Sequence, residues 1–517
     1  MRGESAFDVI IIGGGHNGLI AAAYLAKAGR RVCVVERRSQ VGGCCVTDSP
    51  WPGYHVSTLA DSLSWLTPEI QRELRLREYG LELIPREAST FTPLLDGRSL
   101  LLTTNLRQAT REIARFSTRD AEAYGRYVGL LEQMSEALEE RYRDRGRAKQ
   151  VVQAGEQLCE SLPGAAAFFT DSVRQVLTHW FESEVLRATL AAGALRGQFQ
   201  STYSAGTAWG LVQQRMGKAT ATRGAWSFVR GGMGRVGEAL AAACSDLHVD
   251  VRRESEVKRI LVHNGKVRGV QLAGDAVLEA PLVASSLDAH WTFERLLIPS
   301  ELPAEFLTSV RRIDYASGSA KLNLALGEAP RFRGASAESA GLPLKATILL
   351  GPTLDHHERA WDNAKYGWPS TEPTMEITMP SSVDGSVAPE GKHLLSIVVQ
   401  HAPYQLAGGK HWDEVREDFA DRCIELLGRY APNVPGAVEH RQLLTPLDLE
   451  RTYRLTGGHF YQGAMTLGQR FATRPVLGWS DYRTPVSGLF LCGAASHPGG
   501  GVWGVCGRNA ALEMLAW

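Results

Sequence analysis

The stretch that most restricts the fold is residues 7–36, "FDVIIIGGGHNGLIAAAYLAKAGRRVCVVE". "DVIII" has the pattern of a short buried strand. Gly13, Gly15 and Gly18 follow in GxGxxG spacing, and a helix rich in small residues runs from Leu19 to Ala28 and stops at Gly29. A second strand, Arg31 to Val35, ends in Glu36. This is a βαβ unit, and each glycine meets a separate demand. Gly13 permits the tight turn, Gly15 lets backbone approach a pyrophosphate, and Gly18 lets the helix pack close to the strand. The helix N-terminus, with His16 and Asn17, offers unpaired N–H groups and the positive end of a dipole. Glu36, about twenty residues beyond the turn, is placed to accept ribose hydroxyls. The competing reading is a purely structural glycine turn. A lone GxGxxG would not decide between them, but this one lies between a strand and a helix and has its acidic partner.

The next residues choose the dinucleotide. "ERRSQVGGCCVT", 36–47, places Arg37 directly after the acid and then the pair Gly42 and Gly43. This resembles the extended ADP-binding fingerprint of FAD enzymes rather than a plain NAD site. Cys44 and Cys45 are adjacent, unlike the CxxxxC of disulfide reductases, so they read as small packing residues. The remaining six cysteines are scattered with no CxxC pair, which points to reduced thiols in a reducing compartment.

Composition narrows the partners. The 517 residues suffice for several domains or for interleaved ones. Basic and acidic residues balance at 56 each, with no basic stripe, which argues against nucleic acid. No apolar run approaches the ~18 residues of a transmembrane helix. A strand pattern beginning near Phe7 leaves no space for a leader peptide, so a cytoplasmic enzyme is expected.

Along the chain, "WPGYHVSTLADSLSW" (51–65) reads as an aromatic, turn-rich loop over a pocket. Residues 107–196 have a helical pattern, with a solvated, mixed-charge end at 139–149. "FVRGGMGRVGEALAAAC" (228–244) is a glycine turn entering a helix. Short strands follow, with a hairpin at Asn264–Gly265. In FAD folds a strand near Val257 contacts adenine through its backbone. Residues 310–402 are rich in strand patterns such as "AKLNLALG" and "HLLSIVVQ", and an amphipathic helix spans Asp413 to Tyr430.

A second glycine cluster lies in "LCGAASHPGGGVWGVCGRNAA", 491–511. "GLFLCGA" is a buried strand, Gly499–Gly501 form a bare loop, and Val502 to Leu515 have helical composition. The spacing is not GxGxxG. Three residues without side chains suit a flat ring lying on backbone, with the helix end stabilising negative charge on a reduced isoalloxazine.

This stretch resembles the C-terminal signature of the phytoene desaturase-like FAD oxidoreductases, which include carotenoid desaturases and retinol saturases. The resemblance covers nearly the whole chain, through "IIGGGHNGLIAAAYLAKAG", "VRGGMG", "MPSSVDGSVAPEGKHLLSIVVQHAPY" and "GGHFYQGAM". It implies non-covalent FAD, held by the residues named above with Gly493, Gly500, Gly501 and Val502. It also implies two-electron oxidation or reduction of a carbon skeleton. Two departures stand out. Ala494 and Ala495 follow Gly493 where related flavoenzymes carry an acid, so backbone serves there. Gln462 occupies the slot where relatives carry histidine.

The expected fold is α/β: a Rossmann-like FAD-binding domain of the glutathione reductase type, split in sequence (1–90, 225–300, 480–517), with a mixed α+β substrate domain (91–224, 301–479). His497 is the first acid/base candidate because it sits in the flavin loop and histidine titrates near pH 7. Its competing reading is a histidine bonded to loop backbone. Trp503 is expected to wall the flavin or substrate, or else to be a core aromatic. His459, Tyr461 and Gln462 are further candidates. Tyr54 and His55 are candidates for the pocket entrance, and Arg508 and Asn509 for pyrophosphate or loop carbonyls. The leading function is FAD-dependent desaturation or dehydrogenation of a small apolar or biosynthetic molecule, with dioxygen or a quinone as acceptor and homo-oligomerisation open. The alternatives are a flavin amine oxidase and a non-catalytic FAD-binding protein. No metal or Ser-His-Asp constellation emerges.

Overall fold

Val9–Ile12 is the middle strand of a five-stranded parallel sheet in the computed structural model, which describes residues 7–143, 147–220, 222–335 and 341–517. Its four β-branched residues are buried, as a strand covered on both faces requires. Leu282–Ser285 and then Leu489–Leu491 lie on one side, with Val32–Val35 and then Asp250–Arg252 on the other. Helix His16–Lys27 makes the first crossover. A Cβ on Gly18 would fall 2.1 Å from the Gly13 carbonyl oxygen, so only glycine permits this closeness of helix and turn. Gly507 does the same for the last helix, Val505–Leu515, whose backbone rests on Asn17. That helix starts at Val505, three residues later than composition suggests, with Gly504 at its N-cap.

A three-stranded antiparallel sheet, Val257–His263, Lys266–Leu272 and Val277–Glu279, follows. Its turn carries positive φ at Asn264 and Gly265, the backbone an Asn-Gly hairpin needs.

The second large sheet has seven strands in the order Val438–Leu444, Ser319–Leu326, His393–Gln400, Met375–Thr378, Thr347–Leu350, Ala88–Pro93 and Ser99–Thr103. All pairs are antiparallel except Thr347–Leu350 with Ala88–Pro93. Helix Trp412–Tyr430 packs Phe419, Cys423 and Leu427 into its core. Each such large apolar side chain contributes about 1.5–3 kcal/mol of burial. Ser319–Leu326 is buried along its full length, yet it contains Lys321 and Asn323.

Helices Leu106–Ala114, Thr118–Arg143, Ala148–Ser161, Ala165–Thr170, Val173–Trp180 and Glu184–Leu195 form a helical lobe. Its core includes Tyr127, Leu131, Met134 and Phe168, and it extends to Trp65 and Trp503. Among the described residues, no helix is long and apolar enough to cross a membrane.

Candidate active site

One cleft runs past the carboxyl ends of the central parallel strands, the crevice where open α/β sheets hold ligands. It begins at Val257 and Glu36, passes Gly13 and Gly15, reaches Gly501 and Val502, and ends among Asp61, Trp65, Arg196, Trp226 and Tyr461.

At the first end, backbone holds the acid. Glu36 Oε2 accepts from Gly14 N–H and Oε1 from Arg38 N–H, both at 2.8 Å. Helix His16–Lys27 opens on the cleft with Gly15 at its N-cap and no side-chain cap, so its first N–H groups are available to an anion. His16 and Asn17 line the same wall, and burial pulls His16 down to about 4, leaving it uncharged at neutral pH. Arg37 borders the cleft and donates to the Thr452 carbonyl in the other lobe. Gly43 lines the cleft; Gly42 does not, and Gly18 lies beneath the turn.

At the second end, only Gly501 and Val502 of the glycine loop border the cleft. A Cβ on Gly501 (φ +96°) would fall 2.0 Å from the Trp65 ring, and one on Gly500 2.2 Å from the Tyr461 ring. The bareness therefore receives two of the protein's own aromatic rings, and Gly500 is covered by one of them. Gly493 is bare for another reason: a Cβ there would lie 2.2 Å from the Ser286 carbonyl oxygen. Its neighbour Ala494 lines the cleft instead. Arg474, buried behind this loop, donates to the carbonyls of Tyr461, Gly463, Ala464, Gln469 and Ala494.

The four catalytic candidates are redistributed. His497 is fully buried 5.5 Å from the Tyr142 ring and does not reach the cleft. Burial and the charge of Arg474 pull it down to about 3, so it stays neutral near pH 7 and does not serve as the acid/base group expected. His459 is likewise buried, accepts from Tyr461 N–H at 3.2 Å, and is pulled down to about 3 by the same causes. Trp503 packs between Trp65 (5.7 Å) and Tyr142 (5.2 Å) in the helical core, with Trp65 between it and the cleft. Gln462 does line the cleft, but its carboxamide is a pin: Nε2 donates to Ser286 O and Oε1 accepts from Ala495 N–H, each at 3.0 Å. Arg508 lies near Glu73, and Asn509 donates to the Tyr142 carbonyl; neither lines the cleft. Tyr54 packs near His440 and His55 is exposed, so the early aromatic loop meets the cleft through Leu59–Trp65 instead.

A buried charge cluster occupies the second end, and sequence reading missed it. Asp61 Oδ1 lies 2.9 Å from Arg196 Nη2, and its Oδ2 lies 3.7 Å from Lys321 Nζ. Arg196 Nη1 lies 3.6 Å from Glu376 Oε2. Arg86 sits over the Phe228 ring at 4.0 Å. Burial would raise Asp61, but Arg196, Lys321 and Arg86 outweigh it and hold the carboxyl well below the usual range. Burial pushes Glu376 up and pulls Lys321 down to about 8. The available signal was Lys321 itself, a cation in the middle of the apolar run "SAKLNLAL".

A model of the family described as flavin containing amine oxidoreductase matches residues 18–511. The chain belongs to that family. It is 37% identical to pyridine nucleotide-disulfide oxidoreductase domain-containing protein 2 of Rattus norvegicus, over 98% of this chain and 92% of that protein. It is 25% identical to a zeta-carotene-forming phytoene desaturase of Myxococcus xanthus, over 98% and 94%. A solved oxidoreductase from Methanosarcina mazei has the same fold, with a TM-score of 0.63 at 17% identity, covering 98% of this chain and 100% of that one.

Members of this flavin oxidoreductase family bind FAD, and the protein is a flavoprotein of this kind. The residues present fit the group: an uncapped helix end at Gly15, a carboxylate at Glu36, and one cleft continuous from Val257 to Val502. The resemblance to phytoene desaturases read from the C-terminal signature agrees with the Myxococcus relative.

Proposed function

We propose that the protein is an FAD-dependent dehydrogenase that oxidises a carbon skeleton to a C=C bond. The ADP half is held by the Gly13–Gly15 turn, His16, Asn17 and the amides of the first helix, with Glu36 on the ribose and Val257 beside adenine. Gly501 and Val502 border the redox half, where Trp65 and Tyr461 exclude water. Bound FAD supplies the two-electron acceptor, and dioxygen or a quinone takes the pair onward.

The chain's own chemistry is proton handling. Forming a C=C bond by loss of hydride also releases a proton from the adjacent carbon. Asp61, which faces the cleft, passes that proton to Lys321 in its neutral form behind it; burial has already drawn Lys321 to about 8, close to the working range. Arg196 keeps Asp61 ionised and in place. His497 and His459, neutral and away from the cleft, take no part.

The observation that carries this reading is the continuity of the cleft from Glu36 to Asp61, whose carboxylate lies 3.7 Å from the buried Lys321 Nζ. It is tested by anaerobic bleaching of the yellow holoprotein. A saturated carbon substrate should bleach the flavin and yield its alkene stoichiometrically. Bleaching by amines alone, with imine hydrolysis products, would overturn it.

A further inference from the structure

The charge cluster does not balance. While Lys321 holds its proton, below about 8, its ionisable groups are Arg86, Arg196 and Lys321 against Asp61 and Glu376, three cations to two carboxylates. Tyr461, the remaining titratable neighbour, donates its hydroxyl to the Arg196 carbonyl and stays neutral. A buried charge without a counter-charge is costly, so an excess of one sign marks a place for the other.

The unsatisfied hydrogen-bonding atoms point the same way. Ser64 and Trp65 line the cleft, and Ser64 Oγ and the Trp65 indole N–H are buried with no partner among the described residues. Arg86 Nε and Nη2 and the Lys321 ammonium are also buried without a hydrogen-bond partner. Gln400 Oε1 is the one pure acceptor in this neighbourhood left unpaired among the described residues. Orphaned groups at this end are thus mainly donors, and buried donors demand acceptors. An ammonium substrate would add a fourth cation and more donors. A hydrocarbon would leave Ser64 and Trp65 unsatisfied.

Resting on the flavoenzyme reading above, we propose that the substrate carries a carboxylate, which docks on Arg196 beside Ser64 and the Trp65 indole. Arg196 lines the cleft over the Trp226 ring at 5.3 Å; its Nη2 donates to Asp61 at 2.9 Å, while Glu376 lies 3.6 Å from Nη1, beyond a hydrogen bond. The planar fork of a guanidinium still presents donors to a second oxygen pair. The apolar remainder would lie against Trp65 and Trp226, which pack on each other with ring centroids 6.1 Å apart. Anionic recognition separates this substrate class from the amines and the plain hydrocarbons alike.

The test titrates the oxidised holoprotein with benzoate, benzyl alcohol and benzylamine, following the visible flavin spectrum. Benzoate should bind at least about tenfold more tightly than either isostere. Arg196→Met should weaken benzoate by about 10- to 100-fold, while Arg196→Lys retains an intermediate affinity. Trp65→Phe keeps a ring on Gly501 but removes the N–H, and should weaken benzoate several-fold more than it weakens benzyl alcohol. FAD content and melting temperature establish that each variant is folded, and Trp65→Phe decides the matter if Arg196→Met is not. Equal binding of all three probes, tighter benzylamine, absence of any benzoate effect, or indifference of benzoate to Trp65→Phe would each overturn the proposal. A holoprotein that desaturates an uncharged substrate would overturn it while leaving the dehydrogenase reading intact. A preparation devoid of flavin would overturn both.

Discussion

The two ends of the cleft are built by opposite strategies. The nucleotide end comes largely from one continuous segment, where Gly13, Gly15, His16, Asn17 and Glu36 all fall within the first βαβ unit. The other end gathers Asp61 and Trp65 from one loop, Arg196 from the end of a helix, Trp226 from near a short strand, Lys321 from the second sheet, and Tyr461 and Gly501 from two late loops. In the proposed function, phosphate recognition is done by backbone, so a local motif suffices. Substrate recognition is done by side chains, which only tertiary structure can assemble.

The contrast can be broken at either end, and the largest effect belongs to the local motif. Gly18→Val would drive a side chain into the Gly13 carbonyl, a backbone group that cannot swing aside. The loss should exceed about 4 kcal/mol, read as a collapsed melting temperature and no bound flavin. Lys321→Met should leave FAD content near normal but slow substrate-driven flavin reduction by about 10²- to 10⁴-fold in stopped flow. A merely structural lysine would instead alter stability and flavin content together. The pH profile sharpens this point. Lys321 accepts a proton only when neutral, so the reduction rate should rise with pH through about 8 and then level, and the step should vanish in Lys321→Met. Glu36→Gln retains the shape but loses the charge facing the ribose, and should weaken FAD by about 10- to 100-fold in equilibrium dialysis. The smallest effect is expected at His497→Gln: about 1 kcal/mol of stability and no change in the pH profile, because the native imidazole is already neutral. A shifted profile there would restore His497 to the chemistry.

The same division explains what was legible beforehand. The parallel sheet, the helix after it and the position of Glu36 follow from periodicity and spacing in residues 7–36. The Asn264–Gly265 hairpin follows from turn chemistry. The second glycine cluster was legible as a bare loop before a helix, but nothing in "PGGGVWG" states that Trp65 and Tyr461 lie on it. His497 drew attention by chain proximity to that loop, whereas its surroundings are Tyr142 and Arg474. Asp61 and Arg196 carry no local signal, since their meaning lies in a pairing across more than a hundred residues. Lys321 did carry one, as the cation inside a strand buried along its whole length.

The strand order of the parallel sheet has a consequence in time. Val9–Ile12 leaves the ribosome first, but its neighbour on one side is Leu282–Ser285, and beyond that lies Leu489–Leu491. The nascent glycine turn therefore waits for both of these strands with that side of its sheet missing. Its cleft closes only after Val502 has emerged. Closure of the whole cleft around a flavin therefore follows the pairing of segments as far apart in the chain as Gly13 and Val502.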